Sequence, residues 1–132
     1  MKHFFVAAVV AAIVVCWGGV GATAADLAGA SKAEIDFLLA AMKNSGCQFN
    51  RNGQWYGADE AVSHIETKYS YLLRKHMLSS TEDFIDRAAT GSSMSGQAYL
   101  VRCGDAAPVE SSVWFKAELA RYRSGKGASA HP

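Results

Sequence analysis

The sequence lacks an excess of either charge, and this absence bears on the partners that the chain can recruit. Its 132 residues carry 13 Lys and Arg against 12 Asp and Glu. No block of like-charged residues stands out along the chain. Proteins that bind nucleic acids or acidic membrane surfaces usually show a basic surplus or a basic block. The linear sequence therefore gives no argument for either partner, and we predict no nucleic-acid binding.

The chain also lacks a hydrophobic run long enough for a comfortable membrane span. Lys2 and His3 precede the apolar run FFVAAVVAAIVV, and small residues follow it up to Ala24. A membrane helix needs about 20 apolar residues, whereas this pattern is typical of a cleaved secretory signal peptide. We predict that residues 1–24 are removed, with cleavage after Ala24 or Ala25, and that the protein is periplasmic or secreted. An uncleaved anchor is the alternative; after cleavage we expect no stable membrane span.

Cysteine is scarce, with three residues in the chain. Cys16 falls inside the predicted signal peptide, after two bulky valines where a lipid-attachment site needs a small residue. We predict that Cys47 and Cys103 form one disulfide, because exported proteins mature in an oxidising compartment. Two buried free thiols are the alternative. No spacing of His, Cys, Asp and Glu resembles a three- or four-ligand site, so we predict no metal and no cofactor.

Local patterns near the start of the mature chain predict a helix followed by a hairpin. Ser31 and Glu34 form the capping-box pattern that starts a helix, and apolar residues then recur with helical spacing. Asn52-Gly53 lies between two short segments that contain aromatic residues, and this dipeptide strongly favours a two-residue hairpin turn.

The rest of the chain alternates between helical and extended patterns. Apolar periodicity predicts a second helix over residues 58–77, and Ser80 begins a short third helix. Residues 98–103 have the composition of a strand. A last helix begins at Ser111 or Ser112.

These elements predict an α+β fold in a single domain over residues 31–123. We expect a small, mostly antiparallel sheet of about three strands, packed by about four helices and stapled by one disulfide. Residues 124–132 are small and polar, so we expect a flexible tail. The chain shows no internal repeats and no linker.

Three polar residues of the second predicted helix are the first candidates for a site. Glu60, His64 and Lys68 are spaced four apart, so neighbouring side chains can touch on one helix face. A carboxylate that orients an imidazole is half of an acid–base site. A binding face and an ordinary solvated helix face fit the same spacing, and the sequence leaves these alternatives open. We expect His76, by contrast, to lie at the edge of the core.

The hairpin tip and a serine-rich loop supply the other candidates. Arg51 and Asn52 lie at the turn near Tyr56, and Arg with aromatic residues is enriched at binding hot spots. The alternative is that they only build the turn. Ser93 and Ser95 lie in the loop GSSMSG, which departs from the G-x-S-x-G pattern of a serine nucleophile. The loop can also satisfy its own backbone groups or form a backbone nest for an anion.

Three motifs carry a resemblance to a known family. C-x-F-x-R-N-G-x-x-Y, E-A-x-x-H-x-x-x-K-Y and S-x-S-G-x-x-Y-x-V-x-C follow one another in the chain. Over about residues 31–123 the chain resembles a family of small exported bacterial proteins classed as a domain of unknown function. The motif letters fall on Cys47, Phe49, Arg51, Asn52, Gly53, Tyr56, Glu60, Ala61, His64, Lys68, Tyr69, Ser93, Ser95, Gly96, Tyr99, Val101 and Cys103. Many members have Pro where this chain has Ala98, which loosens a turn. The family has no assigned activity, so the resemblance implies that these residues cohere and gives none of them a role.

We therefore expect an exported, non-catalytic binding or interaction module whose partner is an envelope protein, a glycan or a small ligand. One alternative is a small envelope hydrolase that uses His64 with the hydroxyl of Ser93 or Ser95. The other is a structural or stress accessory protein of the envelope. The predicted disulfide would bring Arg51, Glu60, His64 and Ser95 towards one edge of the fold.

Overall fold

The computed structural model describes residues 27–128. The predicted signal peptide, Cys16 and residues 129–132 lie outside this range. The described chain forms four α-helices, one π-helical turn and four short strands. In chain order they are α1 (Gly29–Lys43), β1 (Gln48–Arg51), β2 (Gln54–Tyr56), α2 (Ala58–Arg74), α3 (Thr81–Phe84), the π-helical turn (Ile85–Ala89), β3 (Leu100–Arg102), β4 (Val109–Glu110) and α4 (Ser111–Ala128).

The strands form one antiparallel sheet in the order β2-β1-β3-β4. This arrangement confirms the α+β class and corrects the strand count, which is four rather than three. The missed strand pairs Val109 with Val101 and Glu110 with Leu100. Two exposed residues are too few to show the alternation of polar and apolar side chains that identifies a strand.

The hairpin forms at the predicted position. Asn52 and Gly53 have φ values of 51° and 84°, the left-handed conformations that a tight two-residue hairpin turn requires. Adjacent side chains of β2 then face opposite sides of the sheet. Tyr56 and Phe49, its partner on β1, face the helices. Trp55 lies on the other face of the sheet, where its ring centroid is 4.0 Å from Cζ of Arg102.

The helices pack on one face of the sheet around a fully buried core. The apolar stripe of α1 is buried as predicted. Phe84, from α3, meets Phe115 of α4 edge to face, and Tyr69 of α2 packs against Phe84 in the same way. Aromatic pairs in this geometry stabilise a core beyond the area that they bury. Phe84 and Phe115 are both completely excluded from solvent.

The predicted capping box is wrong, because α1 begins at Gly29, two residues before Ser31, without a side-chain cap. Glu34 instead makes tertiary contacts. It accepts a hydrogen bond from the buried Thr81 hydroxyl at 2.7 Å and pairs with Arg123 of α4 at 2.6 Å. A carboxylate that joins three helices replaces the local cap that the sequence pattern favoured.

Helix α2 ends at Arg74 rather than at the predicted Met77. His76 has a φ of 53°, and the backbone N–H groups of His76 and Met77 donate to the Leu73 and Leu72 carbonyls. This Schellman arrangement is usually completed by Gly. His76 is exposed, so the prediction that it lies at the edge of the core is wrong. The helix has already ended at this position, so the apolar stripe of α2 does not extend to His76.

The predicted disulfide between Cys47 and Cys103 is present. It joins the chain just before β1 to the chain just after β3, and these two strands are direct neighbours. The bridge therefore holds the hairpin against the strand that follows the serine-rich loop.

Helix α4 continues to Ala128, so residues 124–128 of the segment predicted as a tail are helical. Over residues 27–128, no helix combines the length and apolarity needed to cross a membrane.

Candidate functional site

The sheet face that packs on the helices changes from apolar to polar along its strands. Phe49 and Val101 pair across β1 and β3 and are buried in the core. Because strand side chains alternate, Arg51 and Tyr99, each two residues away, lie on the same face. Tyr56, opposite Phe49, also shares this face, and the Arg51 guanidinium lies 4.8 Å from its ring centroid. The sheet thus places one cation and two phenols at the margin of the core.

Helix α2 presents His64 and Lys68 to this polar margin. The two residues are one helical turn apart, and both side chains are half-buried. The Arg51 guanidinium hydrogen-bonds His64 Nδ1, and His64 Nε2 lies 3.0 Å from the Tyr99 hydroxyl oxygen. Lys68 Nζ reaches the same hydroxyl at 3.3 Å. Four side chains, from β1, from α2 and from the residue just before β3, therefore form one connected cluster.

The cluster fixes the proton on His64. A guanidinium can only donate, so Nδ1 must accept from Arg51 and cannot carry a proton. The neutral ring then carries its proton on Nε2 and donates it to Tyr99. Burial lowers the pKa of His64 below 6.5, and repulsion by Arg51 and Lys68 lowers it further. We conclude that His64 is neutral near pH 7.

The Tyr99 hydroxyl is consequently a spare donor. Its oxygen accepts hydrogen bonds from His64 and Lys68. No acceptor for its own proton lies within hydrogen-bond distance among residues 27–128. Burial raises the pKa of Tyr99, so the proton stays in place near neutrality. The cluster therefore offers a phenolic O–H group to an incoming acceptor.

Gly91 holds Lys68 in position from the serine-rich loop. Lys68 Nζ donates to the Gly91 carbonyl at 2.8 Å, and burial lowers the pKa of this lysine. Gly91 pairs with Ala98 in an isolated bridge that closes the loop. A Cβ at position 91 would lie 2.9 Å from the Gln97 carbonyl oxygen, so the close backbone approach requires glycine.

The serine-rich loop satisfies its own polar groups, as one of its predicted alternatives held. The Ser92 hydroxyl accepts from the backbone N–H groups of Met94 and Ser95, and the Ser95 hydroxyl accepts from that of Gln97. Ser95 donates its proton to Asn52 Oδ1 at 2.6 Å, which ties the loop to the hairpin tip. The four successive backbone N–H groups from Met94 to Gln97 are therefore already used and are not available for an anion-binding nest.

Two adjoining clefts open onto the cluster and share Arg51, Tyr56, His64 and Tyr99. The first, which we call the His64 cleft, extends towards Glu60 and has a volume of about 220 Å³. The second, the loop cleft, has a volume of about 400 Å³. The residues that complete the loop cleft are Asn52, Gln54, Lys68, Ser92, Ser93 and Met94.

The loop cleft is rich in donors and poor in negative charge. Arg51 and Lys68 both line it, and no carboxylate of residues 27–128 does. Within the described range, neither cation forms an ion pair with Asp or Glu. Glu60 lines the neighbouring His64 cleft as an exposed side chain, and the hydrogen bonds of His64 go to Arg51 and Tyr99 instead. The cluster consequently has a net positive charge with His64 neutral.

The structure brings together most of the residues predicted for the site. Arg51, Tyr56, His64 and Lys68 share one surface, while Asn52 and Ser93 line its rim. Ser95 faces the hairpin tip through its hydrogen bond to Asn52.

Tyr99 is a functional candidate that the sequence analysis did not select. Its signal was available, because Tyr99, Val101 and Cys103 alternate along a predicted strand and therefore share a face.

Among residues 27–128, the contacts do not include a nucleophile–base pair. Such a pair requires a serine hydroxyl hydrogen-bonded to an imidazole nitrogen. Both nitrogens of His64 contact other side chains, and the Ser95 proton goes to Asn52. Within residues 27–128, no group of three or more His, Cys, Asp or Glu side chains is arranged to hold a metal ion.

Comparison with known proteins identifies a family and no activity. The profile of a family described as a family of unknown function, DUF5329, matches residues 29–123. The chain is also similar to an uncharacterized protein, YfeK, of Salmonella typhimurium. The two are 33% identical over 69 residues, which cover 52% of this chain and 56% of that protein. The chain thus spans about half the length of the curated relative that it matches. No solved structure matches the chain.

Proposed function

The chain belongs to the DUF5329 family of unknown function, and from the geometry of its site we propose a non-catalytic module of the bacterial envelope that binds an acidic ligand group. The ligand occupies the loop cleft, and its carboxylate, phosphate or sulfate lies between Arg51 and Lys68. Two features support an exported location. They are the signal-peptide pattern of residues 1–24 and the disulfide, which is typical of oxidising compartments.

One observation carries the proposal: two half-buried cations share a cleft that contains no carboxylate. Burial makes a cation costly unless an acceptor or an anion compensates it. Lys68 has two neutral acceptors, and Arg51 has one. An acidic group would supply the missing negative charge and accept the spare proton of Tyr99. Charge-assisted hydrogen bonds of this kind are roughly twice as strong as neutral ones.

The size and lining of the loop cleft suit binding rather than chemistry. Its volume of about 400 Å³ falls within the range of small-molecule sites, whereas the His64 cleft is smaller. His64 donates to Tyr99 and accepts from Arg51, so it acts as a spacer that holds the two side chains apart. Because both ring nitrogens are hydrogen-bonded, His64 positions Arg51 and Tyr99 and does not act as a base.

The test is a two-dimensional NMR titration of the chain without its predicted leader, using inorganic phosphate, sulfate and glucuronate as separate probes. We expect saturable shifts at the backbone amides around Lys68 and Gly91, with a dissociation constant of about 1 mM for the best probe. Lys68→Gln should weaken binding at least about tenfold, because one charge-assisted hydrogen bond is lost.

Lys43→Gln is the matched control, since it removes the same charge from an exposed position at the end of α1. The proposal holds if this variant binds like the wild type while Lys68→Gln does not. It fails if no probe shifts the cleft amides. It also fails if both variants weaken binding equally, because the effect would then reflect overall charge.

A further inference from the structure

A third surface groove adjoins the loop cleft, and we propose that it docks the protein on an anionic lipid surface. The residues that line this basic groove include Lys68, Tyr71, Arg74, Met77, Arg87 and Ser93. It shares Lys68 and Ser93 with the loop cleft. The inference goes beyond the proposed function, because it assigns the chain a membrane partner in addition to its ligand.

The cations of the groove come from separate parts of the sequence. Lys68 and Arg74 lie on α2, and Arg87 lies on the π-helical turn. Lys75 adds a fourth cation beside the groove, where its ammonium lies 6.0 Å from the Tyr71 ring centroid. In the part of the chain that the structure describes, no Asp or Glu lines the groove. The fold thus builds a basic surface that no basic block in the sequence announces.

Exposed apolar side chains cluster at the same place. Tyr71 is 50% exposed, Met77 is 41% exposed and Met94 is 99% exposed. Met94 follows Ser93 of the groove and lines the adjoining loop cleft. Met94 is therefore a fully exposed apolar side chain on a loop that is held in place by its own hydrogen bonds.

The combination favours a lipid surface over a folded protein. A protein interface usually has a continuous apolar centre with a polar rim and close shape complementarity. Here the partly exposed Tyr71 and Met77 line the groove together with Lys68, Arg74 and Arg87, so its apolar surface is mixed with cations rather than continuous. A fluid surface needs no complementary shape: it accepts apolar tips at the acyl boundary and pairs cations with acidic headgroups.

The experiment is co-sedimentation of the chain without its predicted leader with two kinds of vesicle. One contains phosphatidylcholine alone, and in the other phosphatidylglycerol replaces about a third of the lipid. We expect binding to the acidic vesicles that declines with added salt, and little binding to the neutral ones. Arg74→Gln/Arg87→Gln should lower the partition coefficient about 25-fold, since each cation near an acidic surface contributes about fivefold.

Two further variants make the test specific. Met94→Ser should lower binding several-fold without a change in charge. Lys43→Gln/Lys116→Gln removes two exposed cations elsewhere and should bind like the wild type. The charge variants change residues that line neither ligand cleft and leave the polar cluster intact, so a failure of membrane docking in these variants leaves the ligand-binding proposal standing.

Three results of the vesicle assay would overturn membrane docking. They are an absence of binding to acidic vesicles, equal binding to both vesicle types, and equal losses in the groove variant and its charge control. Binding to polyglutamate without binding to vesicles would also overturn it and would assign the groove to an acidic polypeptide.

Discussion

Replacing Tyr99 with Phe removes one oxygen atom from the centre of the polar cluster and leaves the buried ring in place. The lost hydroxyl accepts from His64 Nε2 at 3.0 Å and from Lys68 Nζ at 3.3 Å. Lys68 keeps its shorter bond to the Gly91 carbonyl, and both donors are only half-buried, so water can partly replace the lost acceptor. The change therefore costs less than stranding two fully buried donors.

A net hydrogen bond contributes about 1 kcal/mol, and one to a charged group about 1.5–3 kcal/mol. Taking the Lys68 contact at the low end because of its length, we expect Tyr99→Phe to lower the free energy of unfolding by about 1–2 kcal/mol. In a domain of this size that corresponds to a fall in Tm of about 5–10 °C. Urea and thermal unfolding followed by circular dichroism measure both quantities.

Tyr69→Phe is the matched control. Its ring also packs in the core, 5.3 Å between centroids from Phe84, but its hydroxyl makes no hydrogen bond within residues 27–128. We expect a change within about 0.5 kcal/mol, as for a hydroxyl without a partner. If Tyr99→Phe and Tyr69→Phe have equal effects, the Tyr99 hydroxyl does not hold the cluster together and the argument is refuted.

Three other predictions concern the disulfide, the serine-rich loop and the protonation of His64. Reducing the Cys47–Cys103 bridge, whose ends are 56 residues apart, should lower the free energy of unfolding by about 4 kcal/mol; unchanged urea unfolding under reducing conditions would contradict this. Gly91→Ala should cost about 1–3 kcal/mol, because its Cβ would lie 2.9 Å from a carbonyl oxygen, whereas Gly29→Ala, which meets nothing within 4 Å, should be neutral in the same assay. Because the pKa of His64 lies below 6.5 in the folded chain, the unfolded chain binds the proton first as the pH falls. The contribution of His64 to the free energy of unfolding is therefore present above about pH 6.5 and is lost as the pH falls from there to the lowered pKa. Urea unfolding at a series of pH values should show the wild type losing more stability than His64→Gln as the pH falls. Parallel profiles of the two proteins would disprove this.

The sequence predicts the fold well where one local signal acts alone. The turn at Asn52-Gly53 needs two left-handed residues, and few other dipeptides supply them, so the hairpin was predictable. The prediction of a capping box at Ser31 was wrong because Glu34 makes tertiary contacts instead of capping α1. Its carboxylate joins Thr81 and Arg123, residues that are distant in sequence, and a local pattern contains no information about such partners.

The candidate site was predictable as a set of residues and only partly as a geometry. The spacing of His64 and Lys68 placed them on one helix face, and the disulfide placed Arg51 beside the later strand. The direction of each serine depended on hydrogen bonds inside its own loop. The contact between Tyr99 and His64 depends on the pairing of β1 with β3, which local sequence patterns do not reveal.

In the proposed site, a neutral His64 lies between Arg51 and Tyr99 and positions both donors for an acidic group. Nitrogen-15 NMR of the His64 imidazole tests it most directly, in a pH titration with and without inorganic phosphate. We expect the neutral form with its proton on Nε2 and a pKa below 6.5. This pKa should rise when phosphate binds, because the anion stabilises the imidazolium. A proton on Nδ1, or a pKa at or above 6.5 that phosphate does not change, would contradict the account.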